Sequence, residues 1–353
     1  MAKKVAVASE LAIPRLDPLD KNFVLSKPLQ QDRYELTEIY ELERQGRLII
    51  TRKRDGWKLF AVYTKGRWKV YTDGMNEVHC LDHVKKDLMK LSVPDKTVLV
   101  GEGIVDVDGN DNFGKVGAIF QSDTAKALKL QSEVGFVKFM VFDIVIWGGK
   151  NYLNAQYRER LSKLGSLIRT QAKGVVDVTN YVFDANPDKA VKLDHVMPLT
   201  VLGLPFDEAQ KLVRERHWEG LVLYDSDFVS SYRLDGKDPK RPDGCYKWKP
   251  LFTDEFIVRK WLPHLADATK VKEVAISQID GTGREMDCGK FGLFDGKTRE
   301  WLKTAKYPLV IEILFEHRFD SGKLRNARLV RFRDDKKPEG CRTDNVYPKA
   351  KYL

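Results

Sequence analysis

At 353 residues the chain is long enough for about two domains, each able to bury its own core. Hydrophobic residues make up 42% and charged residues 32%, and no apolar run approaches the ~20 residues of a bilayer span, which excludes a membrane-spanning helix. Lys and Arg outnumber Asp and Glu by 61 to 51, a formal charge of +10 that attracts polyanions, so nucleic acid is the first partner to consider.

The stretch MAKKVAVASELAIPRLDP is interrupted by Ser9, Glu10 and Pro14 and makes a poor signal peptide. The first 30 residues are punctuated by proline and predict irregular chain. Asp32 to Arg44 then places Leu36, Ile39, Tyr40 and Glu43 at helical spacing, with Gly46 as the stop. From Leu48 the texture changes to short β-rich runs: RLIITRKRDG, WKLFAVYT, RWKVYT, TVLVGEGIVDVDG and FVKFMVFDIVIWGG. Turn residues separate them, which predicts meandering antiparallel strands. Helical patterns fall at Val84–Leu91, Asp123–Leu130, Tyr157–Arg169 and Phe206–Arg216. Strands and helices in irregular order predict an α+β fold rather than a regular βαβ winding.

After Trp248-Lys249-Pro250 the runs EFIVRKWL, KVKEVAISQI, KFGLF, PLVIEILFEHRF and ARLVRFR are mostly strand. About 100 residues with roughly five strands and one helix suit a small closed barrel, of which the oligonucleotide-binding (OB) fold is the commonest with this content. The domain boundary is therefore expected near Leu251. The four cysteines, Cys80, Cys245, Cys288 and Cys341, are scattered without a CxxC and read as reduced thiols of an intracellular protein.

Three strings invite a site and do not make one. GLFDGKT (Gly292–Thr298) has three residues before GKT where a P-loop has four, and lacks a strand–helix setting. DVDGNDNFG (Asp106–Gly114) puts its glycine at the wrong place for a calcium loop and predicts a hairpin turn. His79, Cys80 and His83 supply three metal-ligand types without a fourth.

The informative segment is Lys53-Arg54-Asp55-Gly56-Trp57-Lys58. A lysine at a strand end beside an Asp-Gly turn can point into a cleft, and there a ring of cations with partial desolvation would free its amine as a nucleophile. Four further strings follow in order. Glu102 ends the run LVGEG, Phe142-Asp143 follows FVKFMV, Glu219-Gly220 opens another apolar strand, and Lys247 and Lys249 alternate on one strand face. Together they supply a nucleophile, two carboxylates for Mg²⁺, an aromatic platform for a base and two cations for a triphosphate, the parts needed for nucleotidyl transfer.

With these motifs the sequence resembles the ATP-dependent DNA ligases of the covalent nucleotidyltransferase superfamily, in the compact phage or viral form. The signature K-x-D-G-x-R is matched by Lys53 to Lys58. It is followed by Glu102, by Phe142-Asp143, by Glu219-Gly220 and by K-x-K at Lys247 and Lys249, and Arg331, Arg333, Asp335 and Lys336 match R-x-R-x-D-K. The resemblance implies a nucleotidyltransferase domain over residues 1–250, with antiparallel sheets flanked by helices in an ATP-grasp-like arrangement. An all-β OB-fold barrel over 251–353 would follow. It further implies a monomer that takes ATP and Mg²⁺ (or Mn²⁺), acts on nicked double-stranded DNA, engages no membrane and works in the cytoplasm.

By the same resemblance Lys53 takes AMP from ATP, and Glu102 and Glu219 hold Mg²⁺ or the ribose. Phe142 stacks on adenine, Lys247 and Lys249 grip the α-phosphate while depressing the Lys53 pKa, and Arg331, Arg333 and Lys336 orient the leaving pyrophosphate. Two departures stand out. Lys58 replaces the usual Arg of the signature, exchanging a bidentate fork for a point charge. Thr72-Asp73 stands where ligases have Ser-Arg, with Arg67 and Lys69 as nearby stand-ins for the grip on a 5′-phosphate. The resemblance implies a catalytic domain almost from the start of the chain, and DNA grip is expected from basic surface such as the seven cations against two acids between Lys323 and Lys337. A capping guanylyltransferase, an RNA ligase and a non-catalytic nucleic-acid-binding protein are the competing readings.

Overall fold

Asp-Gly at 55–56 turns the chain between two strands, and the glycine has no substitute: a Cβ on Gly56 would meet the Gly103 carbonyl oxygen at 2.2 Å. In the computed structural model, residues 22–168, 193–199, 201–292, 294–319 and 321–343 are described, with the backbone of 349–350. The N-terminal stretch and the predicted helix end at Arg169 lie outside these. The chain divides into two units, Met1–Trp248 and Lys249–Leu353.

The first unit opens with β1 (Val24–Leu25), α1 (Leu36–Arg44), β2 (Leu48–Lys53), β3 (Trp57–Thr64), β4 (Arg67–Thr72), α2 (Asp82–Leu88) and β5 (Thr97–Ile104). The small hairpin β6 (Asp106–Val107) and β7 (Asn110–Asp111) leads into α3 (Phe113–Phe120), α4 (Thr124–Val134), β8 (Lys138–Trp147), β9 (Lys150–Asn151) and α5 (Tyr157–Leu167). Then come β10 (Val196–Pro198), β11 (Val201–Leu202), α6 (Phe206–Glu215), β12 (Gly220–Asp225), β13 (Tyr232–Arg233) and β14 (Cys245–Trp248). The result is the expected α+β mixture.

Two sheets carry this unit, ordered β10-β8-β5-β3-β4 and β11-β2-β12-β14. Strand alternation sends each sheet's side chains to two faces. In the first sheet Leu59, Ala61, Leu99 and Val141 pack with Val84, Leu88, Val116, Ile119 and Ala127 of α2, α3 and α4, whereas Phe60, Val62 and Val100 pack with Phe23 and Leu25. In the second sheet Ile50, Leu221, Leu223 and Trp248 pack with Ile39, Phe206, Ala209 and Val213 of α1 and α6. Each large aliphatic or aromatic side chain so buried stabilises the fold by about 1.5–3 kcal/mol.

Several local signals act as their chemistry dictates. Asp123 caps α4 by accepting from the Lys126 amide, and Asn112 caps α3 by accepting from the Lys115 amide. The predicted turn at Asp106–Gly114 is the β6–β7 hairpin, with Asp108 and Gly109 both at positive φ. Two features differ from the sequence reading. The antiparallel meander contains one parallel pair, β8 with β10. Helix α3 was not expected, because Gly114 and Gly117 weaken the helical signal of FGKVGAIF.

The second unit contains β15 (Phe252–His264), β16 (Asp267–Ile279), β17 (Glu285–Phe291), α7 (Gly296–Thr304), β18 (Leu309–Phe315), β19 (His317–Arg318), β20 (Leu324–Arg325), β21 (Arg328–Phe332) and β22 (Lys349–Ala350). Its main sheet runs β17-β16-β15-β18-β21. Among the described residues this path has two open ends, so the closed barrel expected from sequence is not formed by strand pairing. The core of Phe256, Val274, Ile276, Ile311 and Phe315 is instead completed by α7, which inserts Leu302. The GLFDGKT string does join strand to helix, contrary to expectation, and its Asp295 caps α7 by accepting from the Thr298 amide.

Candidate active site

Strand register delivers the charged motif residues of the first unit to neighbouring strand ends. Lys53 is the last residue of β2 and lies opposite Gly220, the first of β12, so Glu219 enters beside it. Lys58 on β3 lies opposite Glu102 on β5. Lys53, Lys58 and Glu102 border a cleft that draws its walls from both sheets. Thr51, Val222 and Tyr224 come from one, and Glu102, Met140 and Phe142 from the other. The lining is mostly apolar with a charged end, the usual composition of a small-molecule site.

At that end Lys53 Nζ donates to Glu219 Oε2 at 2.5 Å, with the Lys53 side chain 24% and the Glu219 side chain 8% exposed. Burial pulls the Lys53 pKa down, but Glu219, Glu102 and Asp55 together overcome it and hold it above the ordinary lysine value. This corrects the sequence reading of an amine kept neutral by cations. The groups that act on the amine are carboxylates, so the resting lysine is an ammonium. The complementary effect falls on Glu102, whose carboxyl is pushed up to about 8 by burial, against the pull of Lys53 and with the push of Glu219.

The platform residue Phe142 sits at a break in the β5–β8 ladder. Val100 pairs with Asp143 while Gly101 pairs with Val141, so Phe142 is the extra residue of a bulge, a device that re-aims a side chain. The close approach needs Gly101, where a Cβ would meet the Met140 carbonyl oxygen at 2.4 Å. Asp143 accepts from Arg160 Nε at 2.8 Å. Arg160 is fully buried and also donates to Ser230 Oγ at 2.9 Å and to the Leu153 and Ala155 carbonyls at 3.2 and 2.5 Å. It welds the Phe142 bulge to the loops at 153–155 and 230.

The two departures from the family pattern meet each other. Lys58 Nζ lies 2.6 Å from Asp73 Oδ1, and Lys69, a suggested stand-in, pairs with Glu77 at 3.0 Å. Lys247 lies opposite Val222 in the β12–β14 register and so shares its sheet face with a cleft-lining residue. Lys249 belongs to the second unit, where its Nζ donates to Glu316 Oε2 at 2.6 Å. Arg331, Arg333 and Lys336 are also in the second unit and are ion-paired there. Arg331 Nε donates to Glu312 Oε2 at 2.7 Å, Arg333 Nη1 to Glu255 Oε1 at 2.7 Å and Lys336 Nζ to Glu255 Oε2 at 2.9 Å. Asp335 bonds Arg333 Nε at 2.8 Å. In the second unit, therefore, Arg333 and Lys336 share a partner, Glu255, while Arg331 and Lys249 are held by Glu312 and Glu316.

Two residues that the sequence reading passed over support the site: Arg160, and Asp111, which bonds Arg54 and the Asp55 amide. Of the rejected metal candidates, His83 Nε2 bonds the Val137 carbonyl at 2.8 Å, and among the described residues no three His, Cys, Asp or Glu side chains gather as a metal site. The four cysteines are free and buried. No helix among the described residues is long and apolar enough to cross a membrane.

No protein-family model and no curated protein matches the chain. Solved structures do. A Lig E DNA ligase, studied for DNA binding with a minimal scaffold, superposes with a TM-score of 0.59 at 17% identity, covering 88% of this chain and 99% of that one. The chain has a DNA ligase fold. Structures called Pmar-Lig_PreS3 and Pmar-Lig_Pre match with TM-scores of 0.58 and 0.57 at 17% and 16% identity, covering 87% and 88% of this chain and 67% and 68% of theirs.

Proposed function

We propose that the chain is an ATP-dependent DNA ligase that seals nicks through a lysyl-AMP intermediate on Lys53. The observation that carries this reading is the Lys53–Glu219 hydrogen bond at the charged end of a cleft with an aromatic wall, in a DNA ligase fold. Phe142 supplies a face for the base.

In the first step Glu219 takes the ammonium proton and the Lys53 amine attacks the α-phosphorus of ATP. A P–N bond forms as the bond to pyrophosphate breaks. In the second, an oxygen of the 5′-phosphate displaces the lysine. In the third, the 3′-hydroxyl attacks the activated phosphorus and AMP leaves. All three are in-line displacements governed by positioning and charge neutralisation. Glu102 and Glu219 are hard oxygen donors that both act on Lys53, a pair that would hold Mg²⁺ (or Mn²⁺) together with substrate phosphates. The ion would supply charge neutralisation at phosphorus.

We assign Lys58 and Lys247 to phosphate contacts. Lys249, Arg331, Arg333 and Lys336, on the second unit, are assigned to the phosphates as well, and that unit is read as an OB-like DNA-binding module acting in a monomer. The sealing assay is direct. A duplex carrying a nick with a labelled 5′-phosphate is incubated with ATP or GTP and Mg²⁺. Sealing with ATP is expected; sealing with GTP alone, or no sealing with either nucleotide, would overturn the assignment.

A further inference from the structure

Asp111 closes the β6–β7 hairpin, and only 3% of its side chain is exposed. Its Oδ1 accepts from Arg54 Nη1 at 3.0 Å and lies 3.5 Å from Arg52 Nη2, while Oδ2 accepts from the Asp55 amide at 3.0 Å. These three partners bracket Lys53 in the chain. The same hairpin holds Arg52 again, through the Gly109 carbonyl at 3.2 Å. The Arg52 guanidinium in turn lies 4.5 Å from the centroid of Trp218, the neighbour of Glu219.

The β2 ladder ends at the Lys53–Gly220 pair, so strand pairing does not set the course of residues 54–56. One buried carboxylate, Asp111, ties residues 52, 54 and 55 together there, with charge-assisted bonds that are shorter and stronger than neutral ones. It also sits between two guanidiniums two residues apart, which would otherwise repel each other and spread the loop.

We propose that Asp111 is the positioning residue that fixes the direction of the Lys53 amine for attack on phosphorus; this rests on the adenylyl-transfer reading. Asp111 acts through the loop and touches no reacting atom. Misplacing a nucleophile by about 1 Å costs on the order of 100-fold in rate, so a loosened loop is read in the chemical step and not in nucleotide affinity.

The test is single-turnover adenylylation of the full chain with labelled ATP and Mg²⁺, for the parent, Asp111→Ala, Asp111→Asn and Arg54→Ala. Asp111→Ala is expected to slow labelling roughly 10- to 100-fold with the half-saturating ATP concentration unchanged. Asp111→Asn, which keeps an acceptor for the Asp55 amide, is expected to recover part of the rate. Parental rates in Asp111→Ala, or an effect confined to ATP half-saturation, would overturn the assignment. Should Asp111→Ala fail to fold, parental rates in both Asp111→Asn and Arg54→Ala would overturn it equally, and slowed labelling with unchanged half-saturation in either would support it. Amide hydrogen exchange across residues 53–57 is measured on the same proteins without ATP. Faster exchange in the folded variants supports the role and unchanged exchange refutes it. A parent that takes no label therefore defeats only the adenylyl-transfer reading, and exchange still decides the positioning role.

Discussion

Lys53 Nζ and Glu219 Oε2 stand 2.5 Å apart, joined across the β2–β12 pair by the register that sets Lys53 opposite Gly220. The bond makes the candidate nucleophile an ammonium at rest and places beside it the group able to remove its proton. Reactivity is then governed by how the surrounding carboxylates are relieved, not by a surplus of nearby cations.

The charge state of Lys53 can be read directly in metal-free buffer, from its reactivity towards an amine reagent as pH rises. Burial alone would lower its pKa, and Glu219, Glu102 and Asp55 raise it above the ordinary value. Glu219→Gln removes the carboxylate bonded directly to the amine, so the midpoint for Lys53 is expected to move to lower pH. A midpoint that moves upward, or stays fixed, contradicts the carboxylate cage.

Glu102 gives a stability test in the same metal-free buffer. Its folded pKa of about 8 exceeds the ordinary 4.5, so the folded state binds this proton more tightly than the unfolded state does. The resulting stabilisation is complete below about pH 4.5 and is lost as pH rises through about 8. Glu102→Gln, which never has to ionise, is expected to raise Tm relative to the parent at pH 9 and to give no gain at pH 5. Each kcal/mol recovered would appear as roughly 2–4 °C. An equal change at both pH values would contradict the assignment.

Arg160 is fully buried against Asp143. Arg160→Ala leaves that carboxylate uncompensated and is expected to cost roughly 3–5 kcal/mol, measured from urea unfolding midpoints with the slope unchanged. A loss below about 1 kcal/mol would put the pair in the class of exposed salt bridges and remove its structural role.

Asp73 is half-exposed and holds the Lys58 ammonium at 2.6 Å. Asp73→Asn should release that cation for phosphate and tighten binding of a 5′-phosphorylated nicked duplex by roughly 1.5- to 5-fold, the worth of an exposed pair. The same change on a duplex lacking the 5′-phosphate is expected to be smaller. Equal gains on both duplexes would mean a general charge effect and no specific role for Lys58.

Much of the first unit is legible in its strings because the chemistry is local. Lys53-Arg54-Asp55-Gly56 carries its own turn, and Glu102 and Glu219 announce themselves at the ends of apolar strands. The supporting groups were not legible for the converse reason. Asp111 reaches Arg54 across 57 residues, through a hairpin that on its own reads only as a turn. Arg160 looks like one more surface cation of an amphipathic helix until its burial is known. The cation ring failed because residue types do not say which neighbour an amine meets. Lysines near Lys53 in motif order turn out to lie beside Asp73 or Glu316. The closed barrel failed because strand count and content do not say which edges pair, nor that the one expected helix would complete the core.

Peptide mapping after incubation with ATP and Mg²⁺ probes the chemistry at its source. A single AMP is expected on the peptide holding Lys53, released when nicked DNA is added, and absent from Lys53→Ala. AMP found on another side chain, or on none with any nucleotide and divalent ion tried, would contradict a lysyl-AMP mechanism at this site.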